Sequence, residues 1–591
     1  MPEMIESSDN APREEHQVRV AKVSDVEATG CLNVQIEGHT LALFADNEQI
    51  YAVDNRCPHM GFPLHRGTVN DGILTCHWHH ARFDLASGGT FDQWADDVRS
   101  YPVQVRDGEV WIDLTARVDL KDHYHQRLRD GLERNIPLVI AKSAIFLLSE
   151  GDDPAEPFRI GLDFGVAYRQ NGWGMGLTML GCMMNLLPHI EAEDKPAAIY
   201  HGLSAVALES NNMPPHFRIK PLPSTRADAS SLKRWFRRFV EVRDDEGAER
   251  CIVSAIRAGA SHEQISDMLF AAATDHRYIQ IGHVIDFTNK ALEALDIAGW
   301  EYAERVLASL AFGYATADRM EESNAWRNPV DLIHILELAF DLLPEVIEAG
   351  KKSRGSWDGR EELIPVLLGE DPQAIADGLL EALRHGSTEV ELAGTVTYVA
   401  ALRIARFHTS NEFPDWDTAL HTFTFANAVH QGLGRFESQE LLRGVFDAAM
   451  SVYLDRFLNV PAAKLPEPKE GEDESPERLL EKLPALLDRQ QQVNESGELV
   501  ARYFNAGGDG DRLMAVLGKA LLNEDRDFHT IQMVEAAYRQ YELLRDTPEG
   551  THVLIAASRY LAAHAPTVRA QRQTYEIARR LHKGERLDEG T

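Results

Sequence analysis

The chain has 591 residues and a formal net charge of -33, which leaves room for roughly three to five domains with cores of their own. The acidic balance argues against nucleic acid or an anionic membrane surface as partner, because either calls for a basic patch. No run of about 18 apolar residues occurs, and the opening "MPEMIESSDNAPREEHQ" lacks an apolar secretory core, so a soluble, cytoplasmic protein without a membrane partner is expected.

The first elements read as strands. "HQVRVAKV", "LNVQIEGHTLALFAD", "QIYAVDN", "GILTCHW" and "EVWIDL" are short, rich in β-branched and apolar residues, and divided by turn signals such as "NDG" and "RDGE". They predict a small antiparallel barrel or sandwich over residues 17 to 117. From there the texture changes to long segments with apolar residues at helical spacing, such as "ISDMLFAAATDHRYIQIGHVIDFTNKALEAL" and "SQELLRGVFDAAMSVYLDRFL". The expectation is a multidomain chain: an all-β domain, then a large all-α domain over 118 to 591. The Pro- and charge-rich stretch 461 to 477 is a linker or loop that could subdivide it.

Five cysteines, Cys31, Cys57, Cys76, Cys182 and Cys251, are too few and too scattered for a disulfide framework. Two of them sit in similar clusters, "CPH" at Cys57 to His59 and "CHWHH" at Cys76 to His80. Structural zinc normally draws its cysteines in C-x2-4-C pairs, whereas here each loop offers one Cys and one His. That division suits a [2Fe-2S] centre whose two irons are held by two thiolates and by two imidazoles. With "CPHMGFPLHRG" and "CHWHHARFDLASGG", including Phe83 and Ser87-Gly88, residues 17 to 117 resemble a Rieske domain. The resemblance implies cluster ligation by Cys57, His59, Cys76 and His79, with His80, His65 and His77 outside the ligand set. Respiratory Rieske proteins carry an extra Cys in each cluster loop; none stands here, so the likeness is to the ferredoxin and oxygenase branch.

A one-electron carrier leaves some 470 residues without a task. Ring-hydroxylating Rieske oxygenases hold a mononuclear iron with two His four residues apart and a later Asp; no H-x4-H follows Asp119. Ferritin-like di-iron sites need two E-x-x-H elements, and the nearest is a single Asp331-x-x-His334; no His of the helical part is followed by Asp. What remains is a set of histidines and carboxylates on periodic helices: His201; His276, His283 and Asp286; Asp417 and His421; Asp525 and His529. His276 and His283, seven apart, are expected on one side of one helix. Asp417 and His421, like Asp525 and His529, are spaced i, i+4, so each carboxylate could orient an imidazole or share a metal with it.

In order, "DHRYIQIGHVIDFTNKALEAL", "WDTALHTFTFANAVHQGL", "LLRGVFDAAMSVYLDRFLNVP" and "THVLIAASRYL" resemble the questin-oxidase-like proteins, helical oxidoreductases linked to oxidative opening of aromatic polyketide rings. This second resemblance, over residues 170 to 565, highlights His276, His283 and His421. It departs from the family in having Asp286 where a Glu is usual and in carrying a Rieske segment at all. Two functional expectations follow. In the first, an external reductase or ferredoxin reductase loads the cluster, which feeds a His-lined, non-haem iron site that oxidises an apolar or aromatic small molecule, in a homo-oligomer if clusters and helical domains pair between chains. In the second, the chain is a non-catalytic electron carrier whose helical domain docks another redox enzyme.

Overall fold

The computed structural model describes residues 17–114, 120–149, 151, 153–223, 227–466 and 474–585. The boundary expected between 117 and 118 and the centre of the 461 to 477 linker fall outside the described residues. Contacts divide the chain into two compact units: Met1–Gly131, Ile136–Gly151 and Thr574–Thr591 form one, and Leu132–Asn135 with Asp152–Gln573 form the other.

Among the described residues of the first unit ten strands make three antiparallel sheets: β1 (Gln17–Lys22), β2 (Cys31–Ile36), β3 (His39–Asp46), β4 (Gln49–Asp54), β5 (Thr68–Asn70), β6 (Ile73–Thr75), β7 (Arg82–Asp84), β8 (Ser100–Tyr101), β9 (Val103–Arg106) and β10 (Glu109–Asp113). Their orders are β1-β10-β9, β2-β3-β4-β8 and β5-β6-β7. Four two-residue turns set the register. Glu37-Gly38, Asn47-Glu48, Asp71-Gly72 and Asp107-Gly108 all have positive φ at both positions, the backbone whose twist matches that of flanking strands. The turn signals "NDG" and "RDGE" lie in two of them. A short helix, Val23–Thr29, interrupts the strands and was not expected; only Val26 of it is buried, too little apolar periodicity for a sequence signal.

This unit has two apolar cores. One lies under β2-β3-β4 and β10 and holds Leu41, Leu43, Val110 and Ile112. The other, around Leu64, Leu74, Phe83 and Val98, contains Cys57 and Cys76. The helix Pro137–Ser149, "PLVIAKSAIFLLS", also belongs to this unit. Apolar residues around almost its whole circumference fit a buried helix.

The second unit is helical. Its long helices are started by side-chain caps that satisfy the first free N–H groups: Ser261 with Gln264 forms a capping box for His262–Thr274, Thr388 with Glu391 another for Glu389–Ala405, and Asp527 accepts from the Thr530 N–H at the start of Phe528–Leu543. Phe413–Arg435 packs against Glu389–Ala405, Gln439–Leu454, His283–Ala298 and Phe528–Leu543, and so sits at the centre of the bundle. Among the described residues no helix is long and apolar enough to cross a membrane.

Candidate metal centres

The two Cys/His loops of the first unit have the same backbone. In one, the Gly61 N–H donates to the Cys57 carbonyl at 2.8 Å and the Cys57 N–H to Phe62 at 2.7 Å; in the other, the His80 N–H donates to Cys76 at 3.0 Å and the Cys76 N–H to Ala81 at 2.9 Å. The residue four after each Cys is left-handed, Gly61 at φ 83° and His80 at φ 63°. His80 is therefore the turn residue of its loop, matching Gly61, while His79, the third residue after Cys76, and His59, the second after Cys57, bring their rings together. The His59 and His79 rings stand 4.8 Å apart at an interplanar angle of 83°. Cys57 and Cys76 are buried, and their closeness raises the pKa of Cys57 and lowers that of Cys76.

The surroundings suit a bound cluster. Burial, with help from the nearby Lys142 cation, lowers the His59 pKa to about 4, and burial also lowers that of His79; neutral imidazoles are what a metal needs. His59 Nδ1 is buried with no hydrogen-bond partner, an atom that ligation would satisfy. Three groups not anticipated from sequence support this loop. The Trp94 ring packs edge-on to His59 with centroids 4.5 Å apart. Lys142 Nζ donates to the Pro58 and His59 carbonyls and to Asp96, the last at 3.0 Å. Asp96 also accepts from Arg127 Nε at 2.9 Å. Lys142 is the one charge in an otherwise apolar helix, which was the available signal.

Two buried thiols and two imidazoles on paired loops of an antiparallel β domain define a Rieske-type [2Fe-2S] domain. Residues 16–102 match the model of the Rieske [2Fe-2S] domain, and the chain belongs to that family through this segment. The ferredoxin component of the naphthalene 1,2-dioxygenase system of Pseudomonas putida is 30% identical over 99 residues, which cover 17% of this chain and 95% of that one. Apoptosis-inducing factor 3 of Homo sapiens is 27% identical over 103 residues, and this chain spans only 17% of its length. Among solved structures, Sphingomonas yanoikuyae B1 ferredoxin aligns at 27% identity and TM-score 0.15, over 17% of this chain and 98% of that one.

In the helical unit, three of the nominated histidines converge. His283, His421 and His529, from three helices, bring one ligand nitrogen each to within 4.8 Å of one another. His421 Nε2 and His529 Nε2 are 3.0 Å apart, close to the separation of two nitrogens bound at right angles to a metal at about 2.1 Å. His283 is the first residue of its helix and His529 is in the first turn of another. Burial, reinforced by the neighbouring imidazoles, lowers His283 to about 4 and His421 to about 3. Phe287 and Phe528 pack on His283, with centroids at 5.4 and 5.6 Å. An all-imidazole donor set suits zinc, copper or iron, and three protein ligands leave positions open.

Beside this cluster lies a cavity of about 690 Å³, with His421 and Asp417 on its wall among Tyr278, Trp326, Leu454 and Phe457. The Asp417 carboxylate stands 3.8 Å from His529 Nδ1 and accepts from the Tyr560 hydroxyl at 2.6 Å. It lies 3.8 Å from His564 Nε2 as well, so it faces two imidazoles from other segments of the chain.

The other nominated residues lie elsewhere. His276 does not share a helix with His283: the chain between them is broken by left-handed backbone at Tyr278, Gln280, Ile281 and Gly282, and His276 pairs with Glu321 at 2.8 Å. Asp525 precedes its helix, which opens at Phe528, and accepts the N–H groups of Ala570 and Gln571; its i, i+4 spacing to His529 spans no helical turn. His201 is buried in Lys195–Ser210, where burial lowers its pKa to about 4. Asp286 lies one turn beyond His283 and accepts from Gln532.

Proposed function

We propose that the chain is a Rieske-dependent oxidoreductase. Cys57, His59, Cys76 and His79 would hold the [2Fe-2S] cluster, and His283, His421 and His529 a single non-haem iron at which an apolar or aromatic small molecule is oxidised. The observation that carries this reading is the convergence of three imidazoles, one of them His421 on the wall of a largely apolar cavity, in a chain that also bears a Rieske segment. The cluster supplies one-electron transfer, and an iron with open positions supplies oxygen activation. The protein's own groups do the rest. Burial favours the neutral, metal-binding form of His283 and His421, the Asp417 carboxylate lies 3.8 Å from His529 Nδ1, and the apolar wall suits an apolar substrate. An external reductase is the expected electron source, by analogy with the oxygenase system whose ferredoxin component is 30% identical to this segment.

The test is oxygen consumption by the full chain with a reductase, scored against aromatic candidates. Substrate-dependent uptake that disappears in His421→Ala, with the cluster spectrum unchanged, supports the proposal; uptake equal in the two proteins contradicts it.

A second reading keeps the cluster and drops the catalysis: an electron carrier with a helical docking domain. It is favoured by the ferredoxin components among the relatives and by the ordinary hydrogen bond that joins His421 and His529. It predicts reversible reduction of the cluster without turnover of any small molecule.

A further inference from the structure

The cavity beside the histidine cluster has a carboxyl group set into its apolar wall. Tyr278, Trp326, Leu454 and Phe457 supply ring and aliphatic surface, and Asp455 lies among them. Asp455 follows directly on the helix Gln439–Leu454 and opens the short helical turn Asp455–Asn459. The residue is only 4% exposed, so its carboxyl is held out of bulk water, yet it is paired with no cation. Its Oδ2 accepts from the Thr422 hydroxyl at 2.7 Å, and among the described residues no second side chain bonds it. Arg403 acts on it only through space and directs its own donors to Asn459 and to the Leu368 carbonyl. A carboxylate offers about four acceptor sites, and the protein uses one of them.

The group is held in place from three segments of the chain. Thr422 Oγ1 lies 2.7 Å from Ser451 Oγ as well as from Asp455, and the Tyr278 hydroxyl is beside Thr422 and Ser451. Stability does not call for an acid here, since an apolar residue costs less than a buried carboxyl without a cation. Thr422 is the residue after His421, with Cα atoms about 3.8 Å apart. The carboxyl bonded to Thr422 and the His421 imidazole therefore belong to neighbouring parts of one cavity wall.

What can bond this carboxyl follows from its proton. Burial raises Asp455 to about 7, with Thr422 and Arg403 pulling the other way, so both forms are present at neutral pH. A ligand carbonyl accepts only from the protonated form, and an ammonium pairs as a charge only with the ionised one. A hydroxyl serves both, donating to the carboxylate or accepting from the acid. An ammonium is further disfavoured by Arg456, whose guanidinium shares this wall and lies 3.7 Å from the centre of the Tyr453 ring and 3.9 Å from that of Phe457.

We infer that Asp455 is a specificity-determining residue of this cavity, holding the hydroxyl of an otherwise apolar molecule and so turning the rest of that molecule along the wall that carries His421. The inference rests on the proposed oxidation in taking the cavity as the substrate site, and it adds a substrate class: apolar compounds that already bear one hydroxyl. A compound without the hydroxyl fills the cavity and leaves the buried carboxyl unpaired, which is how a site of this kind rejects it.

The test is equilibrium dialysis of naphthalene and 2-naphthol, which differ by one hydroxyl, against the full chain. The expected result is that 2-naphthol binds about tenfold or more tighter than naphthalene. In Asp455→Leu that preference is lost, while naphthalene binds at least as well as before and cluster content is unchanged. If the variant does not fold, the unaltered protein decides at about pH 8, above the Asp455 pKa of about 7, through 2-methoxynaphthalene, which keeps the oxygen and has no hydrogen on it. Binding of that ether as tightly as 2-naphthol overturns the inference. Equal binding of naphthalene and 2-naphthol by the unaltered protein, or a preference that survives in Asp455→Leu, overturns it too and leaves the proposed oxidation standing. A preference that depends on Asp455 without any oxygen uptake supports the inference and contradicts the oxidation alone. Binding of neither compound overturns the cavity as a substrate site, and both readings with it.

Discussion

At the scale of single residues, Lys142 shows how a group outside the cluster motif can control it. Its ammonium sits against the carbonyls of Pro58 and His59 and is balanced by Asp96, and a nearby buried cation favours an added electron. Lys142→Met is therefore expected to lower the reduction potential of the cluster without removing it, as read by redox titration; an unchanged potential contradicts this. Asp417→Asn, which removes the charge facing His529 Nδ1, should weaken the metal proposed at the histidine site about 10-fold or more, measured by competition with a chelator. The proposed cluster ligands Cys57, His59, Cys76 and His79 could be nominated from sequence because all four lie within two short loops, where spacing carries the chemistry. Lys142 and Trp94 could not, because nothing local ties them to "CPH".

At the scale of elements, the tight turn after β7 carries a demanding position. Gly88 has φ +79°, and a Cβ added there would lie 1.9 Å from the Val98 carbonyl oxygen, whose own N–H donates to Gly88. Gly88→Ala should destabilise the Rieske unit by about 1–3 kcal/mol or more, read as a lower temperature for bleaching of the cluster; an unchanged temperature counts against the packing described. The Ser87-Gly88 signal was thus legible as a motif and has a steric cause. The helical segment "DHRYIQIGHVIDF" was misleading for a related reason. Its apolar spacing continues through Tyr278 and Ile281, but left-handed backbone ends one element and starts another at His283, so seven-residue spacing does not place His276 beside His283.

At the scale of the whole molecule, the helical histidine site depends on which helices meet. His283, His421 and His529 are separated by more than a hundred residues in sequence, and periodicity identifies the buried face of each helix but not its neighbour. Hence all three were nominated along with His201, His276 and Asp525, which lie elsewhere. The interior also stores acids whose burial favours the protonated form: Asp286 and Asp455 are pushed to about 7 and Asp447 to about 6. Each binds its proton more tightly folded than unfolded, so its contribution is complete below the ordinary carboxylate pKa near 4 and is lost as pH rises to about 7. The unfolding midpoint of the helical unit is expected to fall between pH 5 and pH 8; a flat or rising midpoint contradicts that balance.

The proposed oxidation requires a second metal site in addition to the cluster. Metal and acid-labile sulfide analysis of the purified full chain tests it most directly. Two irons and two sulfides for the cluster plus one further iron per chain are expected, with the further iron lost in His283→Ala and His421→Ala and the sulfide retained. A catalytically active protein that holds two irons and no other metal would contradict it.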